Sequence, residues 1–124
     1  MKKYLTILPV FFLLAFTTTN SISEIINAFK EGNAFAISAS FDQTVEITFL
    51  SQNNSYSKSK AQKVLQDFFA ANTVRDFKVL HKSDSGGSAY FIGNLITSNG
   101  NFRVTVYAKE KNGKILIQEL RIEK

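Results

Sequence analysis

From Gly87 to Glu123 the chain alternates between apolar and polar positions in three runs, separated by Asn99-Gly100 and Asn112-Gly113. An Asn-Gly pair between β-rich runs marks a hairpin, because both residues accept the positive φ of a type I′ turn. The pattern predicts a three-strand antiparallel meander. In Ser88 to Ser98, Phe91 and Leu95 fall on one face, opposite Tyr90, Ile92 and Ile96. In Asn101 to Lys111, Phe102, Val104, Val106 and Ala108 oppose Arg103, Thr105 and Tyr107. Strict alternation through Lys114 to Glu123 groups Leu116, Gln118, Leu120 and Ile122, opposite Ile115, Ile117, Glu119 and Arg121. The first set is expected to bury against helices. The second mixes aliphatic, aromatic and charged residues, as subunit interfaces do. Its members Tyr90, Arg103, Tyr107, Ile115 and Ile117 are the interface candidates, with Arg103 and Glu119 placed to pair across strands.

Upstream, the period changes from two to that of a helix. Ser21 and Glu24 have capping-box spacing, and Ile22, Ile25, Ile26 and Phe29 then share one helical face. Gly32 suits the C-cap, and Asn33 can cap a second short helix carrying Ala34, Ile37, Ala39 and Phe41. Val45, Ile47 and Phe49 alternate with polar residues as a half-buried strand, and Ser51 to Ser57 reads as a polar turn. Ala61, Val64, Leu65, Phe68 and Phe69 define the clearest helix, capped by Ser57 or Ser59 and stopped at Asn72. Val74 to Lys82 reads as a strand with Phe77, Val79 and His81 on one side, followed by a turn through Gly86-Gly87. No helix pattern follows those glycines, so they do not form a phosphate loop.

The N-terminus has a different character. Met1-Lys2-Lys3 precedes 13 mostly apolar residues, Tyr4 to Phe16, and then a polar run to Ser21. This is too short for a membrane span and suits an export signal. The expected organisation is a signal peptide over 1–20 and one domain over 21–124, exported to the periplasm or secreted, with no stable membrane span after cleavage. Retention of the segment as an N-terminal anchor is the competing organisation.

Composition narrows the chemistry. There is no cysteine and one histidine, so disulfides, thiolate nucleophiles and multi-histidine metal sites are excluded, and no cofactor or metal is expected. Without Lys2 and Lys3 the 15 basic residues fall to 13 against 10 acidic ones, leaving +3. The lysines are scattered, which argues against nucleic acid as a partner. Twelve phenylalanines without a tryptophan suit a small core centred on a sheet.

This order of elements describes an α+β cone, N-terminal helices packed on a curved antiparallel sheet that ends in the meander. It resembles the nuclear transport factor 2-like fold. The run Tyr56-Ser57-Lys58-Ser59-Lys60-Ala61 into Asp67-Phe68-Phe69 carries a closer resemblance, with Gly93-Asn94-Leu95, Asn99 to Val104 and Ile117 to Glu123. On these residues the mature chain is similar to a small exported bacteroidete family, domain of unknown function family 4783. The resemblance implies an exported protein with an open sheet face, and no reaction.

Enzymes of the wider fold use a pocket carboxylate with a Tyr or a protonated acid. Here Asp42, Glu46, Asp76 and Asp84 lie at strand ends, in turns or on polar faces, so no catalytic residue is assigned. His81, Tyr56 and Phe91 are the candidate ligand-binding residues, His81 because it alone titrates near neutral pH and lies in line with Phe77 and Val79. Three functions follow from the sequence. The favoured one is a non-enzymatic binding domain that homodimerises through the sheet face. The second is an enzyme or carrier that takes a small apolar ligand into the cone. The third is a membrane-attached accessory domain, if the N-terminal segment is retained.

Overall fold

The computed structural model describes residues 21–124; the expected signal peptide lies outside the described residues. Helix α1 (Ile22–Glu31) is followed by α2 (Ala34–Ser38), β1 (Phe41–Phe49), β2 (Gln52–Ser57) and α3 (Lys58–Ala71). The remaining strands are β3 (Val74–Ser85), β4 (Ser88–Thr97), β5 (Gly100–Lys111) and β6 (Lys114–Glu123). They form one six-stranded sheet in the order β2-β1-β6-β5-β4-β3. Every pairing is antiparallel except that between β1 and β6, which brings the first and last strands together as parallel neighbours.

Local chemistry sets the helix ends. Ser21 Oγ accepts from the Glu24 amide at 3.3 Å while Glu24 Oε1 accepts from the Ser21 amide at 3.2 Å, closing the capping box. Gly32 ends α1 at φ 63, the left-handed conformation that glycine enters without steric cost. Asn33 then caps α2 by accepting from the Ala36 amide, and Ser57 caps α3 by accepting from the Lys60 amide.

One expected turn is a strand. Residues 51–57 turn only at Leu50-Ser51; from Gln52 the chain returns as β2, pairing Tyr56 with Val45. The strand escapes a pattern search because it is a sheet edge with Tyr56 alone half-buried, so no alternation is written into it. The strand β3 likewise continues beyond Lys82 to Ser85.

The helices lie on one face of the sheet, and aromatic rings fill the space between. Phe29 of α1 is fully buried, with its ring centroid 5.4 Å from Phe77, 6.0 Å from Phe91 and 6.4 Å from Phe69. A second group joins Phe68 of α3 to Phe49 at 5.0 Å and Phe102 at 5.1 Å. Leu65, Leu95, Leu120 and Ile122 close the core around them.

Two of the four register shifts in the sheet break the alternation on which the sequence reading of the site rests. In β5–β6, Tyr107 pairs with Glu119 but Ala108 pairs with Ile117, so Gln118 is the extra residue. A bulge of one residue turns every side chain before it to the other face. Ile117 therefore belongs to the core, at 0% exposure, and Ile115 packs half-buried beside it. In β3–β4, Val79 pairs with Gly93 and His81 with Ile92, leaving Leu80 as the extra residue.

Gln118 has a role of its own. Its Nε2 donates to Asp42 Oδ2 at 2.9 Å, and Lys111 Nζ donates to the same oxygen at 2.7 Å. The Gln43 amide donates to Oδ1 at 2.8 Å. The Lys111 bond, then the Gln118 bond, hold the Asp42 carboxyl down at about 2 from an ordinary 3.8. A depressed folded-state pKa stabilises the fold fully above the unfolded value, and that stability is lost as pH falls from about 3.8 through about 2. Asp42→Asn is expected to flatten the stability profile over this window, read from urea midpoints at successive pH values. An unchanged acid limb would refute the clamp.

Candidate functional site

The sheet face turned away from the helices is not covered by any element of the described residues. Its middle strands present Tyr90, Ile92 and Ile96 from β4, half-buried between buried neighbours, and Arg103, Thr105 and Tyr107 from β5. Antiparallel register sets Tyr90 directly opposite Tyr107 and Ile92 opposite Thr105. Tyr107 remains 36% exposed although it lies mid-sheet, so a large aromatic side chain stands in solvent with strands on both sides. Strand β6 adds Leu116, Glu119 and Arg121, opposite Lys109, Tyr107 and Thr105 respectively. The parallel pairing of β1 with β6 sets Glu46 beside Glu119.

Charge is ordered along this face. Glu46 and Glu119 share the level of the two tyrosines, while Arg121 and Arg103 lie at the next levels along the strands. Arg121 is held by acids of its own strand, its NH1 3.6 Å from Glu119 Oε2 and its NH2 3.4 Å from Glu123 Oε2. The expected Arg103–Glu119 pair does not form: Glu119 stands opposite Tyr107, and Arg103 stands opposite Glu123.

The other sequence candidates are not brought together. His81 is not in line with Phe77 and Val79. The bulge at Leu80 turns it to the outer face, exposed, with its ring 5.5 Å from Tyr90. Phe91 is 1% exposed among Phe29 and Phe77 in the interior. Tyr56 is half-buried against the core on β2, at the far edge of the sheet from β3. No shared pocket joins the three. Of the five interface candidates, Tyr90, Arg103 and Tyr107 share the outer face; Ile115 and Ile117 are corrected to the inner one. The sequence reading missed Leu116, which the Gln118 bulge exchanges with Ile117. It also missed the placement of Glu46, since nothing local announces a parallel partner 73 positions away at Glu119.

Asp42 is the carboxylate with a displaced pKa, and the displacement is downward, so it stays ionised and is no base for neutral pH. Among the described residues, no three His, Cys, Asp or Glu side chains gather as metal ligands, and no helix is long and apolar enough to cross a membrane.

Helices seated on one side of a curved six-stranded sheet define the nuclear transport factor 2-like fold. The structure resembles that of an NTF2-like protein of unknown function from Cytophaga hutchinsonii, with TM-score 0.58 and 11% identity over 82% of this chain and 83% of that one. At the level of sequence, residues 22–123 match the family model described as Domain of unknown function (DUF4783), and the chain belongs to that family. A DUF4783 family protein from Bacteroides ovatus is 35% identical, over 82% of this chain and 93% of that one, with TM-score 0.80. A second from Bacteroides uniformis is 31% identical, over 85% and 97%, with TM-score 0.82. None of the curated proteins matches the chain.

Proposed function

We propose that this protein is an exported binding domain without catalytic activity, which pairs with a second copy of itself through the outer sheet face. The observation that carries the reading is Tyr107, opposite Tyr90 and diagonal to Ile92 on a face that no element of the described residues covers. An apolar, aromatic centre with charged residues around it is the anatomy of an interface. Export rests on Lys2 and Lys3 ahead of the apolar run from Tyr4 to Phe16.

Sedimentation equilibrium tests the association. The mature domain is expected at twice its monomer mass, and Tyr107→Lys is expected to weaken the dimer at least fivefold, a loss of about 1 kcal/mol or more at a central tyrosine. The same change is expected to alter monomer stability by no more than about 0.5 kcal/mol, since the position is a surface one. A concentration-independent monomer mass would sink the proposal.

A second reading, a carrier of a small apolar ligand, draws on a different feature. A cleft of about 650 Å³ lies between the α1–α2 corner and α3, lined by Gln62, Gln66 and Phe69 and bordered by Phe35, which is 72% exposed. Native mass spectrometry of the purified protein decides between them: a retained low-mass adduct supports the carrier, and a bare protein mass removes it.

A further inference from the structure

The two edges of the sheet are built differently. Strand β2 is a short edge of six residues, polar throughout apart from Tyr56. Strand β3 has twelve residues, pairs only with β4, and leaves the other side of its backbone ladder without a strand partner among the described residues. An unpaired edge is a template for another extended chain. This one carries Val79 at 36% and Leu80 at 54% exposure, large aliphatic side chains in solvent.

A groove of about 320 Å³ runs beside this edge, between it and α1. Ile26, Phe77 and Val79 supply its apolar lining. Lys30, at the last turn of α1, and Lys82, on β3, bring charge to the α1 side of the edge, while register turns Lys78 and Asp76, opposite Asn94 and Ile96, to its outer side. The Asp76 carboxylate already accepts a hydrogen bond from the Phe77 amide at 2.8 Å. The groove is therefore cationic over an apolar floor, next to free backbone donors and acceptors.

We propose that β3 is a docking edge for an extended acidic peptide segment, which adds beside it as a seventh strand, with aliphatic and acidic side chains together in the α1 groove by Lys30 and Lys82 and a further carboxylate by Lys78 on the outer side. Strand addition takes its affinity from main-chain hydrogen bonds and its specificity from the side-chain positions along the groove. This edge lies apart from Tyr107, so the proposal stands or falls separately from self-association.

The probe is a fluorescent nine-residue peptide of repeating Val-Val-Glu-Glu, which sets both residue types on each face of a strand, titrated onto the mature protein and followed by anisotropy and by amide hydrogen exchange. Binding is expected to slow exchange along β3 and to leave β2 unchanged. The double variant Lys30→Glu/Lys82→Glu is expected to weaken binding about tenfold, by reversal of two solvent-exposed charge contacts. All its changes are on exposed side chains, so its fold is checked by an unchanged melting midpoint. The same peptide N-methylated at alternate backbone nitrogens is expected not to bind. Equal binding of the methylated peptide, protection at β2 in place of β3, or no binding of the acidic peptide each overturns the proposal.

Discussion

Phe29→Ala is expected to destabilise the domain by about 3–5 kcal/mol, the range for emptying a buried phenylalanine site. The ring is fully buried and lies against Phe69, Phe77 and Phe91, so its removal strips contacts from a helix and from two strands at once. Its neighbours are rings held by their own strands and by α3, which limits how far they can collapse into the space. Against a typical total stability of about 5–15 kcal/mol this is a large fraction. Urea unfolding should show a lower midpoint with an unchanged slope. Phe35→Ala is the control: its ring is 72% exposed, and it should move stability by no more than about 0.5 kcal/mol. A Phe29 effect as small as that of Phe35 would mean the aromatic cluster is not a packed core.

Gly93→Ala is expected to cost about 2–3 kcal/mol, at the upper end for overpacking a filled core. A β-carbon built on Gly93 would lie 2.5 Å from Cζ of Phe77, 2.7 Å from its Cε1 and 2.9 Å from the Lys78 carbonyl oxygen. Phe77 lies across the one residue of β4 that has no side chain, and the two are diagonal neighbours on the inner face. Pairing the change with Phe77→Leu should return part of the loss, because the two substitutions share one space. The Lys78 carbonyl remains in the way, so recovery should be incomplete. Additive costs in the double variant would show that the ring is not what excludes a β-carbon.

These two sites also show how far the sequence could be read. The helical face of Ile22, Ile25, Ile26 and Phe29 is legible at once, since 3.6-residue spacing and a capping box are local properties. Phe68 was equally legible and lies buried on α3. That Phe29, Phe77 and Phe91 meet was not, because three residues from different elements share no local signal. Gly93 stood out only as part of a short family-like run; its packing reason appears once Phe77 is placed on the neighbouring strand.

The outer face was read in halves. Tyr90, Ile92, Ile96, Arg103 and Tyr107 fell where alternation put them, because β4 and the first part of β5 run without interruption. Ile115, Ile117 and His81 did not. Each lies beyond a bulge, and a bulge changes no residue type that a two-residue period can detect. At Gln118 the structure also shows what holds the irregularity: the extra residue's amide reaches Asp42, a partner on β1 that only the folded sheet supplies.

What the sequence by itself determined is the set of elements and most of their faces, since hairpin turns, caps and periodic burial are encoded within a few residues of where they act. The parallel joining of β1 to β6, the two bulges and the existence of β2 were decided by tertiary structure. Each depends on hydrogen bonds and packing between segments far apart in the chain, where one residue of register reverses which side chains meet the core and which are left for a partner.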